Sequence, residues 1–186
     1  MSAGRAATLV SVADRLDFTS KSGEGIEFRN SLTGDDFSEI FSITKTNMEA
    51  LYNSCGSADW AWDDAKKAAE LRHKKSRFLI VRDSQTKKVL GFICFRFMVE
   101  AGSASLYVWE IQVRADGEHQ GKGIGSKLMA AAEKLLVKET GIRKVFLTVL
   151  RNNERAIKFY QKLGYTVDKS SPPNVCYSIF SKSLRG

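Results

Sequence analysis

Cysteine and histidine are both scarce in this 186-residue chain, which has three of the first and two of the second. Cys55, Cys94 and Cys176 are odd in number, scattered and never in a Cys-x-x-Cys spacing, so neither a disulfide framework nor a zinc site is indicated and a reducing compartment is expected. With only His73 and His119 to add, no metal centre is expected, and His119 in its polar loop reads as a solvated side chain. The sequence also lacks the ~20-residue apolar run of a membrane span. Between Met1 and Ser20 it lacks the apolar core of a secretory signal. Arg5 and Arg15 among Ser and Ala resemble a transit peptide, but Asp14 and Asp17 count against one, so cytoplasm and nucleus are the expected locations. Lys and Arg give a formal net charge of +8 without any run of five. No dedicated nucleic-acid site is visible, and the excess reads as a basic solvated surface, one that a phosphorylated cofactor, a nucleosome or a ribosome would suit.

No linker or internal repeat interrupts the chain, and its length allows one domain with a self-sufficient core. Leu9, Val12, Ala13, Leu16 and Phe18 make a short helical stripe in an N-terminal segment, residues 1–25, packed on a domain spanning 26–186. Phe37, Ile40, Phe41, Thr44, Met48, Leu51 and Tyr52 recur at helical spacing behind Thr33 and Asp35 or Asp36 as caps. After a loop over 53–58, a second helix is predicted over 59–73. Residues 77–82, 89–99 and 105–113 read as an antiparallel meander, with turns at 83–88 and 101–104. A helix over 123–139, a strand over 144–150, a helix over 153–163 and strands near 165–167 and 175–181 complete the reading.

The most informative stretch joins the strand ending Glu110, Ile111, Gln112, Val113 to Gln120, Gly121, Lys122, Gly123, Ile124, Gly125, Ser126 and a helix start. Glycines admit a bulky anion close to the main chain, and the free amides of a first helical turn favour negative charge, so the turn should hold a phosphate. A P-loop is excluded because the run from Gly117 to Lys122 is one residue short. The dinucleotide fingerprint fails because Ser126 or Leu128 stands where its third glycine is needed. Gln120, Gly123 and Gly125 instead fit Gln/Arg-x-x-Gly-x-Gly/Ala, the pyrophosphate signature of the GNAT superfamily of acetyl-coenzyme A-dependent N-acetyltransferases. Asn153, Ala156, Tyr160, Gly164 and Tyr165 fall at a second spacing of the same superfamily. The resemblance implies an α+β GNAT fold: a mixed, mostly antiparallel central sheet flanked by helices. It also implies acetyl-CoA as cosubstrate with no metal, Asn153 as a side-chain contact to the cofactor arm and Tyr160 beside the thioester sulfur.

The front half narrows this further. The run from Ile43 to Met48, then Leu51 with Tyr52, Trp60-Ala61-Trp62, Phe95-Arg96-Phe97, Leu106 with Tyr107, Glu110, and Ser170-Ser171-Pro172 together resemble the NatD family. Its members acetylate the α-amino group of core histones whose tails begin Ser-Gly-Arg-Gly. That resemblance implies Glu110 as general base and Tyr52, Trp60, Tyr107, Thr148, Ser170 and Tyr177 around the peptide. It makes Ile111, Gln112 and Val113 cofactor-binding backbone and Glu100 one of two acids holding the tail arginine. The second acid is replaced by Met98 and a pocket tyrosine by Trp109. Read by themselves, Trp60, Trp62 and Trp109 are better taken as core aromatics, and Glu100 suits a surface strand end equally well. Under ideal alternation Glu110 faces away from Tyr107 and Trp109, a conflict that a bulge in the strand would remove. The activities that compete with histone-tail acetylation are acetylation of another protein N-terminus, a lysine or a small amine, and a non-catalytic coenzyme A-binding chromatin module.

Overall fold

The computed structural model describes residues 3–15, 25–100, 102–116, 119 and 121–184. Among these residues, seven strands form one sheet in the order β1-β2-β3-β4-β5-β7-β6. They are β1 (Ile26–Arg29), β2 (Arg77–Arg82), β3 (Val89–Glu100), β4 (Ser103–Val113), β5 (Lys144–Leu150), β6 (Thr166–Val167) and β7 (Tyr177–Ser183). All neighbours run antiparallel except β4 and β5. Among the described residues, five α-helices accompany them: α1 (Ala3–Arg15), α2 (Gly34–Asn53), α3 (Asp64–Leu71), α4 (Ile124–Thr140) and α5 (Glu154–Lys162).

The strands alternate in side-chain direction, so the sheet carries a separate core on each face. On one face, Ala6, Val10 and Ala13 of α1 and Leu128, Met129 and Ala132 of α4 pack with Ile93, Phe95, Phe97, Leu106 and Val108. Residues 3–15 thus pack as a layer on that face. On the other face, Ile40 and Ile43 of α2 and Leu71 of α3 cover Phe78, Ile80, Phe92 and Cys94. Full burial of side chains this large stabilises the fold by roughly 1.5–3 kcal/mol each.

Two features of β4 open the molecule. Its pairing with β3 steps from Phe95↔Val108 to Cys94↔Glu110, so Trp109 is an extra, bulged residue. Its parallel pairing with β5 covers only Leu106, Tyr107 and Val108, and beyond the bulge β5 no longer accompanies it. The strands diverge there and leave a cleft between them.

The sequence reading departs from the structure in four places. The helix over 59–73 is a 3-10 turn, Ala58–Trp60, followed by α3. The break falls where Ala61 is extended, at ψ 147°, and Asp63 restarts the helix as its N-cap by accepting from Lys66 N–H. β1 had no counterpart; it is a four-residue edge strand too short for a visible pattern. β3 runs one residue further than expected, to Glu100, and β4 starts at Ser103, inside the expected 101–104 turn. The last strands lie at Thr166–Val167 and Tyr177–Ser183, slightly later than read. Leu16 and Phe18 of the N-terminal stripe lie outside the described residues.

Candidate active site

A cleft of about 1490 Å³ runs from the diverging edges of β4 and β5 to an aromatic end beside α2 and the 3-10 turn. That exceeds the usual volume of a small-molecule pocket, ≈ 300–1,000 Å³, and leaves room for two ligands.

At one end lies the glycine turn. Gly121 and Gly123 adopt φ of +80° and +79°, which side chains with a Cβ rarely reach. Gly125 allows close packing instead: a Cβ there would stand 3.2 Å from the ring of Phe159 on α5, which would have to give by a few tenths of an ångström. The first intrahelical bond of α4 is Lys127 N–H to Gly123 O, so the amides of Ile124, Gly125 and Ser126 have no acceptor within the helix. Along β4, Arg114 N–H bonds Leu90 O on the β3 side. Alternation therefore turns the amides of Ile111 and Val113 to the opposite edge, which β5 has left. A helix N-terminus and an unpaired strand edge thus face one cleft, a pairing that suits an anion attached to an extended, amide-rich arm. Ile111, Gln112, Val113, Gly121, Gly123, Ile124, Gly125, Ser126 and Asn153 all line it, as the sequence implies. Lys122 does not line it, and Gln120 lies outside the described residues. Asn153 caps α5, its side-chain oxygen accepting from Ala156 N–H, which leaves its amide nitrogen for a ligand.

The bulge settles the conflict over faces. Because Trp109 is the extra residue, Glu110 pairs with Cys94 and Gln112 with Phe92, and both turn to the α2 and α3 face alongside Tyr107. Tyr107 and Trp109 stand 5.5 Å apart. Tyr52 faces Trp60 at 6.1 Å and Trp60 meets Tyr177 at 4.6 Å. Tyr52, Trp60, Tyr107, Trp109 and Thr148 line the cleft, and Tyr107 hydrogen-bonds Thr148 across the β4–β5 pair. Trp60 and Trp109 are half-buried in the cleft wall, while Trp62, also half-buried, packs against Tyr52 and Phe41 and does not line the cleft.

Three implied acceptor residues are not in the wall. Glu100 ends β3, on the same strand face as Arg96 and Met98 but beyond Tyr107. Ser170 is exposed and folded onto its own turn, its Oγ donating to Asp168 Oδ1 at 2.8 Å. Tyr177 stands behind Trp60 and supports it. His119, expected to be solvated, lines the cleft and is paired with Asp116 at 2.9 Å.

Glu110 is 5% exposed and lies at the junction of the two ends. Its Oε1 accepts from Lys67 Nζ at 2.7 Å and its Oε2 from Gln112 Nε2 at 2.9 Å, while Gln112 in turn accepts from Asn47 at 3.0 Å. Lys67 also donates to Glu70 Oε2 at 2.6 Å and to the Tyr52 hydroxyl at 3.4 Å. Burial by itself lowers the pKa of Lys67, but Glu110, Tyr52 and Glu70 outweigh it and hold the ammonium well above the usual lysine range. Burial first, and then the charge of Glu110, pushes the Tyr52 phenol up to about 12. The same two causes, in the same order, hold the phenol of Tyr160 well above the ordinary tyrosine value. Tyr160 is buried yet borders the cleft from α5, opposite the β4 edge.

Lys67, Gln112 and Asn47 as a polar chain behind Glu110 were not foreseen, although Gln112 had been assigned to the cofactor. One signal for Lys67 was present: it lies four residues before Leu71, so the two share a helix face, and Leu71 is apolar.

Among the described residues no group of three or more His, Cys, Asp or Glu side chains could hold a metal ion. No helix there is long and apolar enough to cross a membrane.

Comparison with known proteins gives these elements a family. A spermine/spermidine N(1)-acetyltransferase of Bacillus subtilis is 33% identical over 58 residues, 31% of this chain and 38% of that protein. The chain therefore aligns with well under half of that relative. Among solved structures, PaiA N-acetyltransferase of Thermoplasma acidophilum in complex with coenzyme A superposes with a TM-score of 0.63, 21% identity and coverage of 86% and 99% of the two chains. Arabidopsis thaliana NAA60 in complex with a bisubstrate analogue gives 0.61, 13%, 87% and 99%. At these identities the likeness concerns the fold: a seven-stranded mixed sheet flanked by helices. The acetyltransferase (GNAT) family model matches residues 37–165, which is most of the sequence, and the chain belongs to that family.

Proposed function

We propose that the protein transfers the acetyl group of acetyl-CoA to the α-amino group of protein N-termini, with histone tails beginning Ser-Gly-Arg-Gly as the preferred acceptors. The observation that carries this reading is the position of Glu110. The bulge puts its carboxylate on the face of the aromatic end, one residue from the β4 edge whose amides suit the cofactor arm. Family membership supports acetyl-CoA as donor. Histone tails as acceptors are supported by the likeness of the front half to the NatD family, with Tyr52, Trp60, Tyr107 and Thr148 gathered at that end.

In the reaction the acceptor nitrogen attacks the thioester carbonyl carbon, the C–S bond breaks, and no acetyl-enzyme forms. One proton leaves the nitrogen for Glu110, directly or through a water, and one is gained by the departing sulfur. Amides on the open edge of β4 near Val113 stabilise the developing oxyanion. The raised pKa of Tyr160 keeps its hydroxyl a donor, but full transfer to a thiolate of pKa about 8.5 is uphill. Tyr160 therefore hydrogen-bonds the sulfur and the net proton comes from solvent. An α-amine with a pKa near 8 is about one-tenth neutral at pH 7, against roughly one part in two to three thousand for a lysine near 10.4. A fixed carboxylate suffices for the first.

A small polyamine is the second reading, favoured by the name of the Bacillus subtilis relative. The discriminating experiment compares kcat/KM for a free Ser-Gly-Arg-Gly peptide, the same peptide with a blocked N-terminus and an internal lysine, and spermidine. Preference for the first supports the proposal; preference for either other acceptor overturns it.

A further inference from the structure

The ion pair at Glu110 bears on the acceptor. A carboxylate offers about four lone-pair sites, and Lys67 and Gln112 engage one on each oxygen. The remaining sites are available to a neutral amine or to its relaying water. An ammonium arriving at the same carboxylate meets the fixed charge of Lys67. That charge cannot swing aside, because Lys67 is 8% exposed in its side chain and its other donors go to Glu70 and Tyr52. The Tyr52 ring also lies 5.1 Å below it.

We propose that Lys67 is the positioning residue of the acetyl-transfer step and a determinant of its acceptor: it holds Glu110 as an oriented carboxylate and occupies the place an acceptor's ammonium would take, so the site selects an amine that arrives neutral. This rests on acetyl transfer to an amine as the activity. The charged and titratable groups around Glu110 are Lys67 from α3, with Glu70 acting on it, Tyr52 from α2, Cys94 from β3, with Arg96 acting on it, and Tyr160 from α5. Of these, Lys67 is the cation in direct contact with the carboxylate. With it the cluster of Lys67, Glu70 and Glu110 carries a net charge of about −1; without it, about −2.

The variants are Lys67→Met and Lys67→Arg, with Lys67→Gln as a milder polar substitute should the methionine variant not fold. A carboxylate that loses the partner bonded to one of its oxygens is no longer held in one orientation. For the α-amine peptide, Lys67→Met should therefore lose activity chiefly in kcat, by on the order of 10-fold or more with KM for acetyl-CoA unchanged, and Lys67→Arg should recover most of the loss. Spermidine, a polycation, should bind Lys67→Met on the order of 10-fold more tightly than wild type. A purely structural role would give no recovery in Lys67→Arg and leave spermidine binding unchanged, and that result overturns the proposal. Spermidine affinity is read by calorimetry without turnover. An enzyme that acetylates no amine would thus refute the proposed function while leaving Lys67 testable.

Discussion

Replacing Glu110 by glutamine removes one charge and almost no volume, so its consequences can be worked from the contacts. The new side chain has one oxygen and one NH2 where the carboxylate has two acceptors. If the oxygen stays with Lys67, the NH2 confronts Gln112 Nε2, formerly a donor at 2.9 Å. Turning the Gln112 amide to accept would place its nitrogen against Asn47 Nδ2, which already donates to Gln112 and, at 3.0 Å, to Val113 O. One donor in the chain is left opposed whichever way the amides turn. Lys67 keeps Glu70, so its charge is not stranded. The expected stability loss is that of a single charge-assisted bond, about 1.5–3 kcal/mol, or roughly 3–12 °C in Tm for a chain of this size. Loss of the proton acceptor should lower kcat by about 10²- to 10⁴-fold with acetyl-CoA still bound. Steady-state release of coenzyme A thiol, run with a thermal melt and cofactor calorimetry, separates the two effects. A folded variant that loses less than about 10-fold in kcat, or loses only in KM, would refute Glu110 as the base.

Gly123→Glu puts a side chain on a residue at φ +79° and an anion where the cofactor phosphates are expected, so acetyl-CoA binding by calorimetry should vanish while the fold persists. Tyr160→Phe should cost less activity than Glu110→Gln, since solvent supplies the thiolate's proton; a larger loss would reverse their ranking. Asp168 accepts from Ser170, Ser181 and Lys144. Burial alone would raise its pKa, but these bonds outweigh it and hold the carboxyl below the usual range. A depressed folded-state pKa contributes stability that is present above the unfolded value of about 3.9 and lost as pH falls below it. Asp168→Ala should therefore lower stability at pH 7 by about 1.5–3 kcal/mol, and melts should show the difference from wild type shrinking toward acid pH. Because Glu100 lies outside the cleft wall, Glu100→Ala should lower kcat/KM for arginine-bearing tails only if the tail follows the β3 face past Tyr107. Met98→Asp, which adds an acid on that face, should sharpen the preference for arginine over alanine at the third tail position. Equal rates for the two peptides in all variants would show that arginine is not read there.

The glycine turn and the Asn153 cap were legible because their constraints are local. Gly121, Gly123 and Gly125 are needed by backbone angle or by close packing, and Asn153 is needed as a cap, so spacing alone brings them together. The acceptor half depends on pairings that no local pattern encodes. Strict alternation put Glu110 on the wrong face, and only the step in register opposite Cys94 and Phe95 turns it back. Lys67 was missed because α3, with its acids and lysines, reads as a solvated helix until the partner of its Leu71 face is known. Ser170 and Glu100 kept their identity but not their expected place, since the turn at Asp168 and the extra length of β3 are settled by tertiary contacts.

The most direct test is to incubate an unmodified full-length histone whose tail begins Ser-Gly-Arg-Gly with acetyl-CoA carrying a ¹³C-labelled acetyl group and to locate the label by tandem mass spectrometry. The account predicts label on the α-nitrogen of the first serine, none on any lysine, and its loss in Glu110→Gln. Label on lysine side chains, or α-nitrogen labelling that survives in Glu110→Gln, would contradict it.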